Sequence, residues 1–174
     1  LITDAYSHRI MGYHLATDLE AVSSLEALRM AIVQAGHVPE GLIHHSDRGV
    51  QYCSHKYVEL LQQHGMRISM TENGDPLENA VAERLNGIIK QEYLDLERAD
   101  TVEEARQALH RAVALYNGER PHASISLLTP DHVHHNPMPV TRTWKNYYKK
   151  RPTVNPGQDE PTTVNLSSDI STNL

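Results

Sequence analysis

The sequence predicts an α/β domain built on a mixed sheet, and three observations carry that prediction. Apolar runs of strand length (LIT at 1–3, HRIMGYHL at 8–15, LIH at 42–44, RISM at 67–70) alternate with stretches whose apolar residues recur at helical spacing. The order is strand, strand, helix, strand, helix, strand, then helices only, the succession of a layered α/β domain. The joins are punctuated by capping residues, Gly and Pro.

Each element has its own signal. The first two strands flank DAYS as a hairpin-like connection. Thr17 and Glu20 have capping-box spacing, and Val22, Leu25, Leu28, Met30, Ile32 and Val33 follow as a helical set that Gly36 ends. After LIH comes SHKYVELLQQHG (54–65), a helix with Ser54 as N-cap and Gly65 past its end. RISM is the fourth strand and TENGDP (71–76) a loop by composition. A helix runs from about Leu77 to Tyr93, and a second from Thr101, whose capping box is completed by Glu104, to about Asn117. NGERPH (117–122) breaks it, and TPDHV (129–133) adds one helical turn with Pro130 at its first position. TVNPGQD (153–159) recurs as TVNLSSD (163–169), with too little apolar content to fold, so residues 153–174 are expected to be a disordered tail.

Bulk properties exclude several classes. No apolar run approaches the length of a membrane span, and no basic segment followed by an apolar stretch opens the chain as a signal peptide. The single Cys53 makes no internal disulfide, which fits a reducing cytoplasm. The net charge of -6 argues against a nucleic-acid binder until its distribution is considered. Residues 140–152, VTRTWKNYYKKRP, hold Arg142, Lys145, Lys149, Lys150 and Arg151 and no acid, while the rest of the chain holds 11 basic and 22 acidic residues. The segment interleaves Trp144, Tyr147 and Tyr148 with its cations, a composition suited to phosphate contact and base stacking.

The stretch HHSDRGVQY (44–52) ends a strand on two histidines, a serine and a carboxylate, where Gly, Asn or Pro would have sufficed to stop it. Asp47 is therefore a candidate for chemistry. Glu83 lies in ENAVAERLNGIIKQEYL (78–94), whose Ala80, Val81, Leu85, Ile88 and Ile89 make an apolar face beside a polar stripe of Asn79, Glu83, Asn86 and Lys90. Such a stripe is by itself an ordinary solvated helix face. Between Asp47 and Glu83 lie 35 residues.

That interval, with HSDRGVQY, ENAVAERLNGIIKQE and YNGERPHASISLLTP (116–130) in this order, resembles the integrase catalytic core of bacterial DDE insertion-sequence transposases. The resemblance covers roughly residues 1–135 and implies a ribonuclease H-like fold related to retroviral integrases. It implies that Asp47 and Glu83 are two of three metal-binding carboxylates, holding two Mg²⁺ (or Mn²⁺) ions in the complete enzyme. It implies DNA transposition, with transposon ends and target DNA as partners, a homo-oligomeric complete enzyme and a cytoplasmic, nucleoid-associated location without a membrane. The chemistry suits the residues. In-line displacement at a phosphodiester needs charge stabilisation on attacking and leaving oxygens, which two metal ions about 3.5–4 Å apart provide. Magnesium takes hard oxygen ligands and keeps several waters, so a few carboxylates suffice.

The family's third carboxylate is an Asp on the first, central strand, upstream of a segment like LITDAYSHRIMGY, and the chain reads as beginning at the second strand. Asp4 matches the family's non-catalytic Asp before the Tyr-Ser turn and is expected to be a turn residue. The fragment is therefore expected to lack its central strand and to be inactive. Residues 1–135 would be a partial catalytic core, 136–152 a basic aromatic extension and 153–174 the tail. By resemblance Lys90 is a DNA-contacting lysine, and Arg120, in the YN-x-x-RPH signature, is expected to be free for backbone or phosphate. Arg48 divides equally between DNA contact and a loop salt bridge, and Arg142, Lys145, Lys149 and Lys150 complete the expected DNA-binding set. The histidines (His44, His45, His55, His132, His134, His135) are better read as surface residues than as a zinc site, which needs three or four ligands. Two alternatives stand beside the transposase reading: a non-catalytic DNA-binding or assembly module, and a ribonuclease H-like nuclease unrelated to transposition.

Overall fold

The structure, a computed structural model, describes residues 1–16, 21–71, 80–95, 97–137 and 139. The Thr17–Glu20 capping box, most of the 71–76 loop, the start of the Glu83 helix, nearly all of the 136–152 extension and the whole 153–174 tail lie outside the described residues.

The elements follow the expected order. Strands β1 (Ile2–Thr3) and β2 (Ile10–Gly12) form an antiparallel pair. Helix α1 (Ala21–Ala35) leads to strand β3 (Ile43–Ser46), helix α2 (His55–Gln63) and strand β4 (Arg67–Met70), which pairs parallel with β3. Helix α3 (Ala80–Ile88) widens into a π-helical segment, Ile89–Leu94, before α4 (Val102–Glu119), a short 3₁₀ turn at Ala123–Ile125 and α5 (Pro130–His135). The β1–β2 strands are shorter than the apolar runs suggested, because Asp4 and Arg9 close the hairpin through Asp4 N–H to the Arg9 carbonyl at 2.9 Å.

The sheet is in two pieces. Among the described residues β1–β2 and β3–β4 are separate two-stranded sheets, and no strand joins them. What joins them is α1. On one side its backbone meets β2 at Gly12, where a Cβ would stand 2.0 Å from the Ala27 carbonyl oxygen and 3.0 Å from the Ala31 Cβ. On the other side its Leu25 and Leu28 pack with Tyr57 and Leu61 of α2, and Ile2 of β1 joins that cluster. The inward face of α1 is thus Leu25, Ala27, Leu28 and Ala31, while Val22 and Val33, assigned to it from periodicity, are exposed. Gly36 ends the helix at φ +64°, a left-handed conformation that costs glycine nothing.

A second core gathers Ile10 of β2, Leu85 and Ile88 of α3, Ile89, and Leu109, Ala112, Val113 and Tyr116 of α4. Burying an Ile or Leu of this kind contributes about 1.5–3 kcal/mol. It sets how α3 lies: Leu85 and Ile88 face inward and Glu83, Asn86 and Lys90 outward, but Ala80 and Val81, counted in the apolar face, are exposed. The capping box on α4 forms as expected: Thr101 Oγ1 accepts from Glu104 N–H at 3.2 Å, and Glu104 Oε2 accepts from Thr101 N–H at 3.3 Å. The helix continues two residues past Asn117 to Glu119, so Gly118 does not break it and the extended Arg120 does. Ser54 is the N-cap of α2 by backbone geometry only. Its hydroxyl donates to the Gln51 carbonyl at 3.0 Å, tying back to the preceding loop.

Candidate active site

Asp47 follows the last residue of β3, at the carboxyl end of a parallel strand pair, where ligands of α/β sheets characteristically bind. The end of the pair is held by Thr71 N–H donating to the Ser46 carbonyl at 3.1 Å. The carboxylate is exposed, and Oδ1 accepts from the Gly49 N–H at 2.9 Å. Among the described residues its other oxygen has no hydrogen-bond or ion-pair partner.

The loop behind it is held at several points. Tyr52 N–H donates to the Gly49 carbonyl at 2.9 Å, and Ser54 grips Gln51 from below. The Tyr52 ring meets Tyr57 edge-on at 5.4 Å. Tyr57 is buried, and its hydroxyl lies 3.2 Å from His44 Nε2. Burial pushes the Tyr57 phenol up, while burial and then His45 push the His44 imidazole down, so a neutral phenol meets a neutral ring. The two histidines divide as strand alternation requires: His44 is half-buried toward α2, and His45 is exposed with Nδ1 3.0 Å from Ser69 Oγ.

Glu83 lies in the first turn of α3, exposed, with no hydrogen bond or ion pair to any described residue. Arg48 and Lys90 are also exposed without ion-pair partners among the described residues, so Arg48 has no loop salt bridge there. Lys90 sits where the helix widens, its carbonyl accepting from Asp95 N–H at 2.8 Å in the i+5 pattern of a π turn.

Asp4 is a turn residue, as its place in the sequence suggested. Oδ1 accepts from Tyr6 N–H at 3.0 Å and Oδ2 from the buried Ser7 hydroxyl at 2.6 Å, with His134 Nδ1 at 3.1 Å. Burial works to raise its carboxyl, but the Ser7, Tyr6 and His134 hydrogen bonds prevail and hold it below its ordinary value. These oxygens are occupied by the hairpin.

The YN-x-x-RPH signature has a structural use that the sequence did not disclose. Asn117, buried on α4, accepts from Ile10 N–H at 2.9 Å and donates to the Ile10 carbonyl at 3.0 Å, pairing with β2 as another strand would. Tyr116 donates to the carbonyl of His8, a residue at φ +62°, at 3.2 Å. Arg120 is not free as expected. Its Nε and Nη2 both meet the Glu92 carboxylate at 2.8 Å in a bidentate pair linking the π segment to the end of α4. Arg142, Lys145, Lys149 and Lys150 lie outside the described residues.

Asp47 and Glu83 each present an exposed carboxylate oxygen without a partner among the described residues, a hard donor of the kind Mg²⁺ takes. Among the described residues no group of three or more His, Cys, Asp or Glu is placed to hold a metal ion. No described helix is long and apolar enough to cross a membrane.

The integrase core domain family matches the chain over residues 1–76 and again over residues 64–130. An uncharacterized 31 kDa protein of insertion element IS600 from Shigella sonnei is 33% identical over 130 residues, covering 74% of this chain and 47% of that protein. The transposase for insertion sequence element IS904 from Lactococcus lactis is 30% identical over 131 residues, covering 73% of this chain and 50% of its own length. The chain thus spans about half the length of the curated relatives it matches. Among solved structures, the HTLV-2 integrase catalytic core domain in complex with magnesium superposes with a TM-score of 0.58 at 21% identity, covering 76% of this chain and 81% of that one. That likeness is one of fold, a ribonuclease H-like arrangement, with the described strands here in two separate sheets. With the integrase core matched across residues 1–130 and insertion-sequence transposases among its relatives, the chain belongs to the integrase-core family of DDE insertion-sequence transposases.

Proposed function

We propose that the protein serves DNA transposition through metal-dependent cleavage and strand transfer of phosphodiesters, with Asp47 and Glu83 as metal ligands. The observation that carries this is that Asp47 and Glu83 each expose a carboxylate oxygen without a partner among the described residues, one at the end of a parallel strand and one on α3, in the family's order and interval. Two divalent ions, Mg²⁺ or Mn²⁺, when bound supply charge neutralisation on the attacking and leaving oxygens. The solved HTLV-2 core, in complex with magnesium, supports that choice of ion. Around the carboxylates, Arg48 and Lys90 contact DNA phosphates, and Arg142, Lys145, Lys149 and Lys150 extend that contact along the basic aromatic segment. Arg120 joins them only by releasing Glu92. The working form is a homo-oligomer on transposon ends and target DNA in the cytoplasm. The tail from residue 153 is dispensable for catalysis.

A second reading has its own support: both Asp4 oxygens are engaged in the turn, so Asp4 is not free to serve as a third ligand. On its own, then, the 174-residue chain acts as a DNA-binding or assembly module and does not cut. Incubated with transposon-end DNA and Mg²⁺ or Mn²⁺, it should shift DNA without joining ends. Strand transfer that Asp4→Asn abolishes would make Asp4 the third ligand and overturn this. In a chain that carries the third carboxylate, Glu83→Gln should reduce cleavage by about 10³-fold or more while DNA affinity stays nearly unchanged, since a metal ligand and not a phosphate contact is lost. Cleavage surviving that substitution would remove Glu83 from the site.

A further inference from the structure

Four of the described glycines are explained by their backbone angle or by what presses on them. Gly36, Gly41 and Gly65 have positive φ and open space around the missing side chain. Gly12 lacks a side chain because helix backbone presses on it. Gly49 fits neither pattern. It is not among the positive-φ residues, so its backbone would accept alanine. Yet a Cβ there would stand 2.4 Å from Gln51 Nε2, 2.8 Å from Gln51 Cδ and 2.9 Å from Asp47 Oδ1. All three atoms belong to the side chains of the Asp47 loop itself.

We propose that Gly49 and Gln51 are positioning residues for Asp47: the Gly49 N–H holds one carboxylate oxygen, and the Gln51 amide closes the space over Gly49 so that nothing displaces it. The proposal rests on Asp47 being a metal ligand, but its geometry can be tested without a metal. The loop backbone has little freedom to adapt, because Tyr52 N–H is bonded to the Gly49 carbonyl, the Ser54 hydroxyl to the Gln51 carbonyl, and the Tyr52 ring lies against Tyr57. A methyl group at 49 is therefore boxed between Gln51 and Asp47. Gln51, at the end of a flexible chain, can swing, but the short Asp47 side chain must turn off the N–H that orients it. Its free oxygen then points elsewhere. Removing the Gln51 amide would clear the other two contacts but leave the one with Asp47 Oδ1.

Nuclear magnetic resonance of the 174-residue protein tests this with five variants: Gly49→Ala, Gln51→Ala, the double variant, Asp47→Asn and Asp47→Ala. Without metal, hydrogen exchange at the residue-49 amide should be slowed by its bond to Asp47, and replacing Asp47 by Ala as well as by Asn should show the acceptor's part: Asp47→Ala removes the slowing. Gly49→Ala should also remove it with the rest of the spectrum unchanged, and so should the double variant, because the contact with Asp47 Oδ1 does not depend on Gln51. With millimolar Mn²⁺, paramagnetic broadening around Asp47 should need about 10- to 100-fold more ion in Gly49→Ala and in Gln51→Ala, the range for losing an outer partner of a ligand. A Gly49→Ala protein that keeps both the slow exchange and the Mn²⁺ response overturns the proposal. A Gln51→Ala protein that matches the parent in both overturns the part given to Gln51. Slow exchange at residue 49 with Mn²⁺ broadening absent, or unaltered by Asp47→Asn, would support the clamp while removing the metal reading of Asp47.

Discussion

Asn117 is the residue on which the hairpin depends. Its amide satisfies both the N–H and the C=O of Ile10, itself fully buried at the centre of the second core. Asn117→Ala leaves two buried backbone groups without partners, at about 1–3 kcal/mol each. We expect the urea midpoint to drop by the equivalent of about 2–4 kcal/mol, with β2 the first strand to lose exchange protection. A loss below about 0.5 kcal/mol would mean that water replaces the amide without cost. The sequence marked Asn117 through its family signature but gave it no physical task, since its partner is 107 residues away and no local pattern connects them. Asp4 was legible for the opposite reason. Its partners Tyr6 and Ser7 are two and three residues on, within the reach of turn chemistry, and only His134 comes from afar.

Among the elements, the π segment behind Glu83 carries a specific liability. Ile89–Leu94 brings Glu92 to Arg120, and this bidentate pair links that segment to the end of α4. The side chains are 22% exposed at Arg120 and 47% at Glu92, so the pair is a surface interaction with good geometry. A double-mutant cycle with Glu92→Gln and Arg120→Gln should give a coupling of about 0.5–1 kcal/mol at low salt that shrinks toward zero in 1 M NaCl. Coupling indifferent to salt would show that packing, and not charge, links the two. The caps were legible where they are self-contained. Thr101 with Glu104 forms the box that its spacing announces, whereas the Ser54 hydroxyl turns to Gln51 instead of to its own helix. A hydroxyl has a choice of nearby acceptors, and sequence cannot say which is better placed. Nor does IIKQEYL announce a π turn, because the widening depends on where Ile88 and Ile89 find the core and not on any breaker residue.

For the whole molecule, acid is the relevant stress. His122 stacks on His8 at 5.9 Å and meets Tyr116 edge-on at 5.0 Å. Burial, then Arg120 and His8, push its imidazole down to about 4 from an ordinary 6.5. Burial lowers His8 as well, against the pull of Asp4. Both rings therefore stay neutral in the folded protein while the unfolded chain takes up protons below about pH 6.5, so stability is full above that pH and falls as pH drops toward 4. The lowered carboxyls of Glu92 and Asp4 add a further loss as acid reaches their own range. Urea midpoints should thus decline steadily from pH 7 to 4.5, and His122→Gln should flatten the upper part of that decline. A midpoint constant over this range would contradict the assignment of neutral, buried rings. The order of elements was legible at this scale, because strand and helix periodicities are local. The histidine stack was not, since it brings His8 from the hairpin onto His122 from beyond α4.

The division of the sheet also bears on how the chain folds. Strands β3 and β4 with α2 between them form a βαβ unit complete within residues 43–70, and β1 meets β2 within the first 12 residues. Neither pairing waits for a distant partner, so both close short loops at small entropic cost and can form early and independently. The second core is different: Ile10 must find Tyr116 across more than a hundred residues. The slow event is therefore the docking of the hairpin onto α3 and α4, and α1, lying against β2 and α2, is the element through which the two fast-forming units come into register.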